Sequence, residues 1–164
     1  ARRRAREVAL QVLYAIDLAT DRPRARALPD ASPPGGQAPS PPAEPASVRA
    51  PAAGPVFDAV AAHFEMPAAA RTLARDLSVA VRARVDEIDA LVTAHARNWR
   101  LVRMAAVDRN ILRLATYELR YTDTPTAVVL NEAIDLARRF GGDTSPAFVN
   151  GILDAVAREV REPA

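Results

Sequence analysis

The chain has 164 residues, 49% of them hydrophobic and 26% charged, a balance that supports one buried core of domain size. It has no cysteine, which removes disulfides, thiol catalysis and thiolate metal sites, and no apolar run approaching the roughly 18 residues that would suggest a membrane span. The net charge is +2 and all 22 basic residues are arginine, so the sum announces no partner and the placement of the arginines matters more.

The opening Ala1-Arg2-Arg3-Arg4-Ala5-Arg6 carries four arginines and no acid. No apolar stretch or cleavage site follows, so it is not a targeting signal, and a cytoplasmic location is expected. Over 3–19 a helix is predicted, with Ala5, Ala9, Val12, Leu13 and Ile16 on one face and Leu10, Tyr14 and Leu18 opposite. A helix apolar on both sides belongs at the centre of a bundle. Residues 21–55 hold ten of the 14 prolines and no aromatic residue, and Leu28 and Val48 are their only large aliphatics. That stretch cannot bury enough apolar surface to offset its ordering entropy, which predicts a Pro-rich disordered insertion within a single domain spanning 1–164.

A short helix is predicted over 56–64, and Pro67 suits the first turn of the next. Leu73, Leu77, Val81, Val85, Ile88, Leu91, Val92 and His95 then form one long stripe at helical spacing. Residues 99–121 give a further helical stretch, with a break or cap near Asp108. Thr126 is a fair cap for a helix ending at Phe140, and Gly141-Gly142 would end it in left-handed backbone. Ser145 as cap and Pro146 at the first helical position open a last helix, with Val149, Ile152, Leu153, Val156 and Val160 facing the core. No stretch alternates with period two, so the fold class is all-α, a bundle of about six or seven helices.

A catalytic reading fares badly. His63 and His95 are the only histidines and have no metal-ligand spacing. Walker, nucleophile-elbow and dinucleotide-binding motifs are missing from the sequence. Glu132 and Asp135 are spaced as a carboxylate pair, but nearby Arg138 and Arg139 suit them to surface ion pairs. The chain reads as a non-enzyme, without cofactor or metal. Two features point to binding instead. Arginines in a first helical turn oppose the helix dipole, and a phosphate backbone would suit both them and the free N–H groups, although a frayed, solvated terminus accounts for them equally. Phe140 and Phe148 flank a Gly-rich loop at a helix N-terminus, where they would stack on single-stranded bases or serve as core residues.

With these residues the chain resembles the NusB family of bacterial transcription antitermination factors. The resemblance is carried by Arg2-Arg3-Arg4-Ala5-Arg6-Glu7 and Leu13-Tyr14, and resumes near Trp99. It continues in Val107-Asp108-Arg109-Asn110-Ile111-Leu112-Arg113-Leu114-Ala115 with Tyr117-Glu118-Leu119. Asn131-Glu132-Ala133-Ile134-Asp135-Leu136-Ala137, Phe140-Gly141 and Phe148-Val149-Asn150-Gly151-Ile152-Leu153 resemble the family's C-terminal signature. Residues 68–95 fit by helical pattern alone, and the 21–55 insertion departs from the family's shorter connection.

The resemblance implies a compact all-helical fold of two small bundles. It implies binding of the single-stranded boxA element of ribosomal RNA leader transcripts, with a small-subunit ribosomal protein, NusE, as partner. Other Nus factors and RNA polymerase would be engaged indirectly. Carried over by position, Arg2, Arg3, Arg4, Arg6, Phe140, Thr144 and Phe148 would face RNA. Asp108, Arg109 and Arg113 would lie toward the protein partner, while Asn131 and Asn150 would pack helices or brace loops first and contact RNA second. A homodimer burying the arginine-rich surface is also within the family's range. Two other readings keep the fold: the N-terminal RNA-binding domain of an rRNA cytosine methyltransferase, and a protein-interaction bundle without RNA binding.

Overall fold

The computed structural model describes residues 2–25, 53–96 and 101–162, with backbone alone at 20–25 and 102. Within them lie seven α-helices and one turn of 3-10 helix, Leu101–Arg103. The helices are α1 (Arg2–Ala25), α2 (Ala53–Ala61), α3 (Ala68–Ala83), α4 (Val85–His95), α5 (Ala106–Tyr121), α6 (Thr126–Phe140) and α7 (Ser145–Arg161). No strand occurs among the described residues, as the sequence predicts. The ends of the Pro-rich stretch are helical, since α1 runs on to Ala25 and α2 opens at Ala53; residues 26–52, and with them most of the expected insertion, lie outside the described residues.

The apolar side chains form two cores, as expected of two small bundles. One joins Ala5, Val8, Val12 and Ile16 of α1 to Ala53, Phe57 and Ala61 of α2 and Ala74 of α3. The larger takes Ala9, Leu10 and Leu13 from α1, Leu77 and Val81 from α3, Ile88 and Val92 from α4, and the inner faces of α5, α6 and α7. Helix α1 is therefore the shared wall, which is why its sequence is apolar on more than one side. The predicted second stripe is incomplete: Leu10 is buried, Tyr14 half-buried and Leu18 exposed.

The long stripe over 73–95 does not form one helix. The chain breaks at Arg84 (φ −118°, ψ 19°), and this lets Ile88 and Val92 enter the same core as Leu77 and Val81. The break is pinned from α5: the Arg84 guanidinium lies 4.3 Å from the Tyr121 ring centroid, and the Tyr121 hydroxyl donates to Glu87. Asp86 and Glu87 in the first turn of α4 complement its dipole. His95 at its other end meets Glu159 of α7, Nε2 to Oε2 2.6 Å.

Helix α5 is the axis of the larger bundle and carries charge inward as well as apolar groups. At one end, Arg6 of α1 meets Glu118, with Nε at 3.1 and 3.0 Å and Nη2 at 2.7 Å from the carboxylate oxygens. At the other, Asp17 of α1 accepts from Arg109 at 2.7 Å and Asn110 at 2.9 Å. The pairings make α1 and α5 antiparallel and fix their register. Arg161 closes the far end, donating to the carbonyls of Leu119 at 2.9 Å, Glu118 at 3.0 Å and Thr122 at 3.0 Å. Arg161 thereby ties the end of α7 to the last turn and C-cap of α5, where helix carbonyls lack their full set of intrahelical donors.

Glu118→Ala strands the buried Arg6 and is expected to cost about 3–5 kcal/mol, whereas the double change Arg6→Met with Glu118→Leu should cost far less. Urea denaturation of the three proteins checks this; equal losses in the single and double variants would show that shape, not charge pairing, dominates the site.

Candidate nucleic-acid interface

Long side chains bridge α1 and α6, and they do so in the same order along both helices. In order along them, Arg3 pairs with Glu132, Glu7 with Arg139, and Leu10, Gln11 and Tyr14 line a 120 Å³ hollow with Phe140 and Val107. At 1.5 Å per residue, positions 3 and 14 are about 16 Å apart along α1. Beyond Val107 the surface continues into a larger groove of 450 Å³ lined by Arg103, Met104, Ala105, Asp108, Thr144 and Phe148. One flank therefore reads as a strip, cationic at the α1 N-terminus, apolar in the middle and grooved at the α5 and α7 N-termini.

The expected RNA-facing residues divide along it. Arg2 and Arg3 are exposed, and Arg2 makes no ion pair among the described residues. Glu132 accepts from Arg3 at 3.2 and 3.3 Å and, by hydrogen bonding first, holds that guanidinium above its usual range. Arg4 is half-exposed, donates to Glu7 at 2.8 Å and lies 5.1 Å from the Phe64 ring centroid. Phe140 is 37% exposed and Thr144 is exposed, while Phe148 is half-buried against the larger core. The two phenylalanines line separate hollows rather than one stacking site.

Three expectations are corrected by burial. Arg6 is 6% exposed, and its guanidinium, kept charged by the hydrogen bonds it donates to Glu118 against the cost of burial, faces the core. Arg109 and Arg113, read as partner contacts, also point inward. Arg109 serves Asp17 and the Leu101 carbonyl at 2.9 Å, and Arg113 serves Asp89 at 2.8 and 2.9 Å. Burial works against the Arg113 charge, but Asp89 and Asp17 outweigh it. Asp108 does line the groove, although it is buried and its Oδ1 has no hydrogen-bond partner. Asn131 and Asn150 are exposed and neither pack helices nor brace loops.

The 141–144 loop sets where Thr144 and Phe148 stand, and it does so differently from the left-handed turn predicted. Gly141 is extended (φ −94°, ψ −173°). A Cβ there would lie 2.6 Å from the Ser145 side chain and 2.8 Å from the Ala137 carbonyl oxygen, so glycine is required for space rather than for torsion. Ser145 is not a cap: it is the first residue of α7, buried, and its Oγ accepts from the Gly142 N–H at 3.0 Å. Sequence reasoning missed Arg103 and Met104, which belong to an irregular stretch without periodicity. Arg139, expected as a surface ion-pair partner, does lie 3.7 Å from Asp135, but its pairing with Glu7 on another helix was missed.

Fold and surface together define an all-helical protein of two packed bundles with a cationic and aromatic strip along one flank. A model of the NusB family matches residues 49–158. The transcription antitermination protein NusB of Myxococcus xanthus is 42% identical over 164 residues, covering 99% of both chains. That of Solibacter usitatus is 47% identical over 114 residues, 66% of this chain and 78% of its own. Among solved structures, Thermotoga NusB (T. maritima) superposes with a TM-score of 0.72 at 29% identity, over 97% of this chain and 92% of that one. NusB from a complex of NusB and NusE with double-stranded RNA shares the fold, with a TM-score of 0.69 at 24% identity and 96% of each chain covered. The chain belongs to the NusB family.

Burial pushes the Asp17 carboxyl up, but Arg109, Arg113 and Asn110 outweigh it and hold it below the usual carboxylate range. A depressed folded value stabilises the protein above the unfolded value, near pH 4, and that contribution is lost as the pH falls through the lower folded value. Asp17→Asn should therefore be less stable than the native chain at pH 7, with the difference shrinking below about pH 4. Urea titrations from pH 7 to 2 check this; a difference constant with pH would mean that Asp17 acts through packing instead.

Proposed function

We propose that this chain is an RNA-binding transcription antitermination factor and not an enzyme. It binds boxA-type single-stranded RNA of ribosomal RNA leaders together with a ribosomal-protein partner of the NusE type. Through that assembly it joins elongating RNA polymerase with other Nus factors, in the cytoplasm. The observation that carries this reading is the strip itself, in which exposed Arg2 and Arg3 and half-exposed Arg4 continue into half-exposed aromatics beside an open groove. Guanidinium–phosphate contacts supply salt-dependent affinity, and stacking on an aromatic ring suits unpaired bases. A relative of the same length is named for antitermination, and a protein of this fold has been crystallised with NusE and RNA.

The buried Asp108 oxygen without a partner supports a role for the groove's inner wall in receiving a donor from the protein partner. Arg109 and Arg113 then serve that surface from behind, by fixing α1 against α5 rather than by touching the partner. No helix among the described residues is long and apolar enough to cross a membrane. Self-association over the same strip is the state that would compete with RNA.

Fluorescence anisotropy of a labelled boxA-type RNA, titrated at several salt concentrations with and without the ribosomal protein, tests the reading. A Kd on the order of 1 μM or below is expected with the partner present. Equal affinity for a scrambled RNA at every salt concentration would sink the sequence specificity. Phe148→Ala should weaken binding by about tenfold, in line with stacking worth roughly 1–3 kcal/mol per base. Phe148→Leu, which keeps most of the apolar volume, should fold like the native chain and still bind weakly. Native affinity in the leucine variant would return Phe148 to the core.

A further inference from the structure

Arg139 is the last arginine of α6, and its side chain is 42% exposed. Its guanidinium crosses to α1, where it pairs with Glu7, and lies 5.1 Å from the Phe140 ring centroid. Asp135 is 3.7 Å away on its own helix. Glu7 is itself buried, with a side chain 8% exposed, and it also accepts from Arg4 at 2.8 Å. One buried carboxylate thus ties together two half-exposed guanidiniums from two different helices. The arrangement is located between the arginine end of the strip, at Arg3 and Arg4, and its apolar middle, at Phe140 and Leu10.

We propose that Arg139 is a further RNA phosphate contact and that Glu7 is the residue positioning it beside Arg4. The inference rests on the RNA-binding reading above. Its physical basis is the geometry of guanidinium. Five N–H donors are available in a rigid plane, and the two carboxylates do not exhaust them, so a phosphate can be accepted on the exposed edge without breaking the Glu7 pair. Stacking on Phe140 and pairing with Glu7 restrict the side chain beforehand, so less rotamer freedom is lost when the phosphate arrives. Arg138, next in the chain, is exposed and makes no ion pair among the described residues. It carries the same charge at nearly the same place, without the same fixing.

That neighbour provides the control. Arg139→Gln and Arg138→Gln remove the same charge from the full chain, and both are titrated with the labelled boxA-type RNA over a salt series. For Arg139→Gln, affinity should fall about fivefold and the slope of log K against log salt should flatten by about 0.7, the value for one phosphate contact on a single strand. For Arg138→Gln, affinity should change by less than about twofold, the residue being an unfixed surface charge. Glu7→Gln removes a negative charge from the strip, so a purely electrostatic surface would bind more tightly; a positioning Glu7 predicts weaker binding, read at a temperature where melting curves show the variant folded. Equal losses from both arginine variants, or none from either, would overturn the proposal. Tighter binding by Glu7→Gln would overturn the positioning role. Failure of the native chain to bind the RNA would overturn the reading on which the proposal rests, and is seen in the same titration before any variant is compared.

Discussion

The antiparallel register of α1 against α5 is the constraint on which the rest of the molecule hangs. It is set by buried charge at both ends of the contact, Arg6 on Glu118 and Asp17 on the Arg109–Asn110–Arg113 group. Apolar packing alone fixes this register weakly, because only Ala9, Leu10 and Leu13 of α1 enter the core it shares with α5. The charges fix it firmly, since each slip would leave a buried ion without its partner. Such pairs add little net stability over well-packed apolar replacements, and their use here is to select one alignment. Once α1 is aligned, both cores are aligned with it, because it contributes side chains to each.

The same register builds the outer surface. Arg3, Glu7 and Tyr14 reach the α6 side of α1 at heights dictated by the inner clamp, and there they meet Glu132, Arg139 and the Phe140 hollow. The arginine-rich beginning of the chain is thus divided by face, with Arg6 directed to the core and Arg2, Arg3 and Arg4 to the surface. Of the outward arginines, Arg3 is paired with Glu132 of a second helix and Arg4 with Glu7 of its own, while Arg2 makes no ion pair among the described residues. These pairs moderate the local field at the basic start of the chain.

Much of the architecture was legible in the sequence, because helical periodicity reports which residues share a face. The all-α class and the extents of α5, α6 and α7 are close to what apolar spacing and proline placement predict. The break at Arg84 was not legible: the stripe through it is continuous, and the Tyr121 contact that pins it comes from another helix. Nor could spacing tell that Arg109 and Arg113 face inward, since an arginine is buried only if an acid waits opposite, and Asp17 is 92 residues away from Arg109. At Gly141 the residue type was informative but the reason inferred from it was not, because the crowding comes from Ser145 in the following turn. Of the candidate surface, the exposed arginines and Thr144 were readable; the separation of Phe140 from Phe148 depends on how the 141–144 loop turns.

The clamp between α1 and α5 has a consequence in time as well as in space. Glu118 follows Arg6 by 112 residues, so a helix made among the first segments of this sequence meets its charge partner only after α5 has been synthesised. At roughly 5–20 residues per second, α1 waits on the order of ten seconds with two apolar faces and uncompensated charges in water. The smaller core can form earlier, from α1, α2 and α3, and would shelter one of those faces. Docking of α5 then completes the larger bundle and, in the same step, sets the height at which α6 meets the outer arginines. The strip is therefore a late product of folding, and a chain stalled before α5 would possess the arginines without the surface.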